Sequence, residues 1–186
     1  MAEKTLKDAF YETLKDVYFA EKSGTRATKR AIKAAQTPAL KTALTQHSEE
    51  SARHVERLNR VFELLGKSAR SKTCKAMSGI SDEMDDDLRD FDGTEAGDDV
   101  LIGCQQAVEH YEIARYGMLR TWAKKLGLSE AATVLGETLE EEKRADERLT
   151  QIAEGLAASG ADEDLEAEDE PPPVAAKPKS RARAKP

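Results

Sequence analysis

Little in this 186-residue sequence suits a disulfide scaffold, a sheet or a membrane span. The two cysteines, Cys74 and Cys104, are too few for a disulfide framework and lack the spacing of a metal knuckle. They are expected to be free thiols, an ordinary loop cysteine and a small buried hydrophobe. No run of about 18 apolar residues is present to span a bilayer. The opening "MAEKTLKDAF" lacks the apolar core of a signal peptide, so a cytoplasmic location is expected. Positive charge is also short: a net charge of -7 gives no broad electrostatic reason to bind nucleic acid or an anionic membrane. Aromatic residues make up only 5% of the chain, whereas 35% is charged and Ala, Leu, Glu, Lys and Arg dominate. That composition predicts an all-α fold.

Apolar positions recur at helical spacing from about Thr5 to Ala35. "QTPAL" then restarts the chain, with Thr37 as a cap and Pro38 at the first position of a second helix reaching about Leu65, which Gly66 ends. Residues 67–93 carry loop chemistry with one short helix near Glu83 to Phe91. A third helix is expected from Thr94–Asp98 to Leu126. Gly127 then supplies a left-handed cap, Ser129 caps a fourth helix, and that helix reaches about Ala158. Two tight connections and one long one make two antiparallel hairpins joined by a crossover, the ferritin-like form of the four-helix bundle. Residues 1–158 form this bundle. Residues 159–186, an acidic block and then a Pro/Lys/Arg-rich end, cannot bury a core and are expected to be disordered. Without the 7 acidic and 5 basic residues of that tail the bundle is still near -5.

The chemistry lies where charges interrupt the apolar stripes. Phe10, Leu14 and Val17 lead to Glu21 on the first helix. Leu40 and Leu44 lead to His47, Glu50 and His54 on the second, before the stripe resumes at Leu58 and Val61. The third carries Leu101 and Val108 to Glu112, with Glu109 one turn earlier on nearly the same face. The fourth carries Leu135 and Leu139, then Glu142 and Asp146, then Leu149. Glu50 follows Glu21 by 29 residues and Glu142 follows Glu112 by 30, so the halves read as a pseudo-repeat. Carboxylates on an inner face need a partner, and several acids with a little imidazole suit a two-metal centre of iron or manganese. Zinc in a structural role would call for more cysteine or histidine, and calcium for loop oxygens in a larger shell.

The stretches "VYFAEKS", "HSEESARHVERL", "KTCKAM", "VEHYEIARYGMLRTWAKKLG" and "ETLEEEKRADERL" carry a further likeness. Across nearly all of residues 6–156 the chain resembles the ferritin-like proteins of the YciE/YciF family, and "EHYEIARYG" is the most specific piece. The resemblance implies a ferritin-like bundle, a centre holding two iron ions, a homodimer and a stress-linked role. Carried over by position, the implied metal ligands are Glu21, Glu50, His54, Glu112, Glu142 and Asp146, with Glu109 as a neighbour. The wider superfamily places Glu-x-x-His on its second and fourth helices. Here the steps are of four, and an aspartate stands in for the last histidine.

Other residues read more plainly. His47 is either a donor that orients a ligand or a hydrogen-bonded core residue. Glu140 and Glu141 read as a solvated face, His110 as surface or interface, and the four tyrosines and Trp122 as packing. The basic tail could attract nucleic acid only weakly and salt-sensitively. Two functional readings remain open: a di-metal oxidoreductase consuming oxygen or peroxide, and a stress protein that binds metal or partners without turnover.

Overall fold

A computed structural model describes residues 3–168, in side-chain detail to residue 158. Their regular structure is all helical, without strands: α1 (Leu6–Ala34), α2 (Pro38–Leu64), α3 (Lys75–Phe91), α4 (Gly97–Lys125) and α5 (Ser129–Glu168). Thr5 begins α1 with a capping box, its hydroxyl accepting the Asp8 N–H while the Asp8 carboxylate accepts the Thr5 N–H. Thr37 caps α2 by accepting the Leu40 N–H, and Pro38 opens the helix. Gly66 and Gly127 adopt φ of 65° and 71°, the left-handed conformation that turns the chain out of α2 and α4. Ser129 is the first residue of α5 rather than its cap.

The hairpins α1–α2 and α4–α5 pack with α2 against α5 and α1 against α4. Asp98, buried in the first turn of α4, fastens them together. Its carboxylate accepts the N–H groups of Gln36 at 2.7 Å and Thr37 at 2.8 Å, so the α1–α2 turn is held from the opposite hairpin. No described helix is long and apolar enough to cross a membrane.

The crossover departs from expectation. In place of loop with a short helix at Glu83–Phe91, the 17-residue α3 begins at Lys75. Met77, Ile80, Met84 and Leu88 recur at helical spacing and pack on Ala20, Ala27 and Val108, which lays α3 over α1 and α4. Scattered Ser and Asp hid that stripe in the sequence. Cys74 is likewise more than a loop cysteine: its Sγ accepts the Met77 N–H at the start of α3 and lies 2.8 Å from the Tyr111 hydroxyl. Both cysteines are free thiols. The last helix continues past Ala158 to Glu168, since Ala, Leu and Glu favour helix and no proline intervenes before Pro171. The rest of the expected disordered tail, residues 169–186, lies outside the described residues.

Two apolar layers stabilise the bundle. One gathers Phe10, Leu14, Leu58, Phe62, Leu119 and Leu135, and the other gathers Ala31, Leu40, Leu44, Leu101 and Leu149. Each fully buried Leu or Phe contributes about 1.5–3 kcal/mol. Between the two layers the interior turns polar.

Candidate metal centre

The inward line of each helix advances by steps of three or four residues, because 3.6 residues make a turn. On α2 that line runs Leu44, His47, Ser51, His54 and Leu58; on α5 it runs Leu135, Thr138, Glu142, Ala145 and Leu149. On α4 it runs Leu101, Gln105, Glu109, Glu112, Tyr116 and Leu119, and α1 adds Val17, Glu21 and Gly24. All four long helices therefore deliver polar side chains to one level. Four glutamates there, Glu21, Glu109, Glu112 and Glu142, are almost wholly excluded from solvent.

Their donor atoms form two groups that share one residue. His47, Glu109, Glu112 and Glu142 make the first, and Glu21, His54 and Glu142 the second, with the ligand-capable atoms of each group within 4.8 Å of one another. In the first, His47 Nε2 stands 3.1 Å from Glu109 Oε1 and 3.9 Å from Glu142 Oε2. In the second, His54 Nδ1 stands 2.9 Å from Glu142 Oε1 and 3.4 Å from Glu21 Oε1. A cation 2.0–2.2 Å from its ligands holds opposing donors up to about 4.4 Å apart, so little contraction would be needed to enclose one.

These acids are poorly satisfied by the protein alone. Six carboxylate oxygens, on Glu21, Glu109, Glu112 and Glu142, are buried without an aligned hydrogen bond, and so are Nδ1 of His47 and of His54. Burying one such group without a partner costs about 1–3 kcal/mol, and more if it is charged. Proteins retain such arrangements at sites that take a ligand. The residues thus fit a hard cation held by oxygen and imidazole.

Protonation follows the crowding. Burial first, then the charges of Glu21, Glu142 and Glu109, push Glu112 well above the usual carboxylate range. Glu142 rises to about 8, again through burial first, with Glu109 and Glu21 adding to the rise and His54 opposing it. Burial alone would lower the histidines. Glu109, with Glu50 and Glu142, overrides it at His47 and holds that imidazole well above its ordinary value, while contacts with Glu142 and Glu21 bring His54 to about 10. Tyr116, pushed up by burial and then by Glu21, stays neutral and donates a hydrogen bond to Glu21.

An outer ring fixes these groups. His54 Nε2 lies 2.7 Å from Glu141 Oε2. Glu141 in turn receives both Nη1 and Nη2 of Arg57, at 2.6 and 2.9 Å, and Arg57 holds its carboxyl down at about 2. The Glu141 carboxylate therefore turns His54 so that Nδ1 faces Glu21 and Glu142.

Of the residues expected from sequence, Glu21, His54, Glu109, Glu112 and Glu142 meet in this centre, and Glu109 and Glu112 enter together. Glu50 and Asp146 stand outside both groups. The next inward positions are Ser51 and Ala145, and a step of four carries each acid off the line. Glu50 lies 3.9 Å from His47 Nδ1 and from Arg53. Asp146 faces outward, accepting from Gln106 at 3.0 Å beside the exposed His110. Glu141 corrects the solvated-face reading, and Tyr116 does more than pack. His47, left between two roles, sits inside the first group. Extending the inward line of α4 one turn beyond Glu112 would have found Tyr116, but nothing local marks Glu141, whose partners lie on α2.

Fold and site together define an all-α bundle protein with a buried histidine–glutamate cluster suited to metal. The chain belongs to the family described as Domain of unknown function (DUF892), whose model matches residues 5–162. It is 42% identical to Protein YciF of Escherichia coli K12 over 152 residues, 81% of this chain and 91% of that protein. The crystal structure of the E. coli stress protein YciF superposes with a TM-score of 0.80 at 39% identity, covering 84% of this chain and 99% of that one. YcfI of Rhodopseudomonas palustris superposes with 0.77 at 37%, covering 79% and 94%.

Proposed function

We propose that this bundle holds two metal ions, iron before manganese, in a carboxylate-rich centre and reacts there with oxygen or peroxide as part of a stress response. The observation that carries this reading is that Glu142 belongs to both donor groups, so one carboxylate could serve two adjacent cations. Charge supports it, because two divalent cations would offset the four glutamates Glu21, Glu109, Glu112 and Glu142. Iron bound there would supply redox-active cations able to pass electrons to an oxidant. The protein's part is to fix the donors, to keep water away through the apolar layers on either side, and to hold the neutral Tyr116 hydroxyl donating to Glu21 Oε1. The stress role rests on the E. coli relative, described as a stress protein. Dimerisation belongs to the same reading and is checked by sedimentation.

A second reading, metal held without turnover, draws on the seclusion of the site, since His54, Glu109 and Glu142 are fully buried. One experiment separates the two. Metal-free protein is loaded anaerobically with ferrous iron, metal per chain is counted, and oxygen or peroxide is admitted. Two ions per chain with a new near-ultraviolet absorption and oxidant consumption is the expected outcome. Bound metal without oxidant consumption supports the second reading, and no bound metal overturns both.

A further inference from the structure

The side of α5 that carries Gly136 and Glu141 forms an open groove of about 780 Å³, bordered by Arg120 and Lys124 of α4 and by Arg57 of α2. Small-molecule sites span roughly 300–1,000 Å³. Gly136 lies in the interior of α5, where glycine is unfavourable for the helix, and its missing side chain makes room. A Cβ there would stand 3.2 Å from Arg120 Nε and 3.5 Å from its Cδ, so the glycine lets the half-buried Arg120 lie against α5. The acids of the groove are already matched. Glu137 and Glu141 lie 3.6 and 2.6 Å from Arg57, and Glu140 lies 3.0 Å from Lys143. Arg120, Lys124 and Arg144 line the same groove and make no side-chain hydrogen bond or ion pair among the described residues. Unopposed cations gathered in one recess of a chain with a net charge of -7 concentrate positive potential there. They also succeed one another along the groove: Arg120 at Gly136, Arg57 at Glu137 and Glu141, and Arg144 just under one turn beyond Glu141. No aromatic ring lines it to stack on a flat ligand.

We propose that this groove binds a small linear polyanion, with phosphates or carboxylates spaced along a flexible chain, and that Arg57 transmits its occupancy to the histidine–glutamate cluster. Guanidinium forks match the paired oxygens of phosphate and carboxylate, and cations on successive turns match charges spaced along a chain better than a single compact one. Arg57 belongs to both places. It lines the groove, and its Nη1 and Nη2 donate to Glu141, which lies 2.7 Å from His54 Nε2. An anion that draws on the Arg57 fork competes with Glu141 for it and loosens the hold on His54. By linkage, whatever factor the anion imposes on metal affinity the metal returns on anion affinity. Binding in the groove needs no metal, whereas its effect on metal affinity rests on the two-metal reading above.

The test uses the full metal-free chain, tripolyphosphate and orthophosphate as probes, and calorimetry at low salt. Tripolyphosphate should bind at least about tenfold more tightly than orthophosphate, and Arg120→Gln combined with Arg144→Gln should lower its affinity by about tenfold or more. Gly136→Leu should lower it as well, by filling the groove and lifting Arg120, while helical circular dichroism and melting temperature are kept or raised because leucine favours helix. Arg89→Gln removes a cation on α3, outside the groove, and should change nothing. A loss with Arg89→Gln equal to that of the groove variants marks diffuse attraction and overturns the site, as do equal affinities for the two probes. For the link to the cluster, the His54 ring nitrogens of 15N-labelled protein should shift when tripolyphosphate saturates the groove and stay in place in Gly136→Leu. A saturated groove with His54 unmoved overturns the link. Because every measurement is made without metal, failure of the two-metal reading leaves these outcomes standing, and their failure leaves that reading untouched.

Discussion

His54 is held between two consecutive glutamates, with Nε2 at 2.7 Å from Glu141 Oε2 and Nδ1 at 2.9 Å from Glu142 Oε1. One glutamate looks outward to Arg57 and the other inward to the cluster, so the ring cannot turn without losing one of them.

Glu141→Gln should therefore weaken metal binding while leaving the fold intact. Removing the partner that orients a ligating imidazole typically costs 10–100-fold in affinity. Calorimetric titration of the metal-free variant measures this. An affinity equal to the parent's would show that Glu141 has no orienting role.

Glu142 and the two acids outside the cluster should behave oppositely. Because Glu142 serves both donor groups, Glu142→Ala should reduce bound metal from two ions per chain to one or none. Glu50→Gln and Asp146→Asn should keep both, since neither residue enters a group. Elemental analysis of loaded, desalted protein gives the counts.

Metal affinity should rise with pH. Without metal, Glu142 titrates near 8 and His54 near 10, so at neutral pH both carry protons that a cation must displace. Binding then releases protons, and raising the pH from about 6 to about 8 should tighten it about tenfold per pH unit for each proton released. Proton uptake on binding, or affinity flat across this window, would contradict the assignment.

In the absence of metal the centre should be a weak point. Glu112→Leu removes a buried acid with an unsatisfied oxygen and should stabilise the metal-free chain by about 1–3 kcal/mol. For a chain of this size that raises Tm by about 2–4 °C per kcal/mol. The same variant should lose metal-dependent stabilisation. Phe62→Ala is the contrasting case. Phe62 is fully buried and meets Tyr11 and Tyr18 edge-on at 6.1 and 5.5 Å, and its loss should cost about 3–5 kcal/mol with or without metal. Thermal melts of both variants, with and without metal, distinguish them.

Much of this was legible in the sequence because helices announce themselves through period and caps. Thr37, Pro38, Gly66 and Gly127 marked boundaries that the backbone obeys to within a residue or two. Glu21, His54, Glu109, Glu112 and Glu142 interrupted apolar stripes and indeed meet. Glu50 and Asp146 fall outside both donor groups, because a step of four reads as one face over a single turn but drifts off it when the true period is 3.6. α3 was obscured by its polar residues, since two buried methionines are a thin stripe in a 17-residue helix. The links through Asp98 and Glu141 depend on partners 62 and 87 positions away in sequence, and only the folded chain brings them together.

The polar level between the two apolar layers also divides the molecule's tolerance to mutation. Phe10, Leu58 and Leu119 on one side and Leu40, Leu101 and Leu149 on the other must hold four helices together around a middle that pushes them apart. Random substitutions in either layer draw on a margin already reduced at the centre. Over evolutionary time these layers are where drift should be slowest, even though no chemistry happens there.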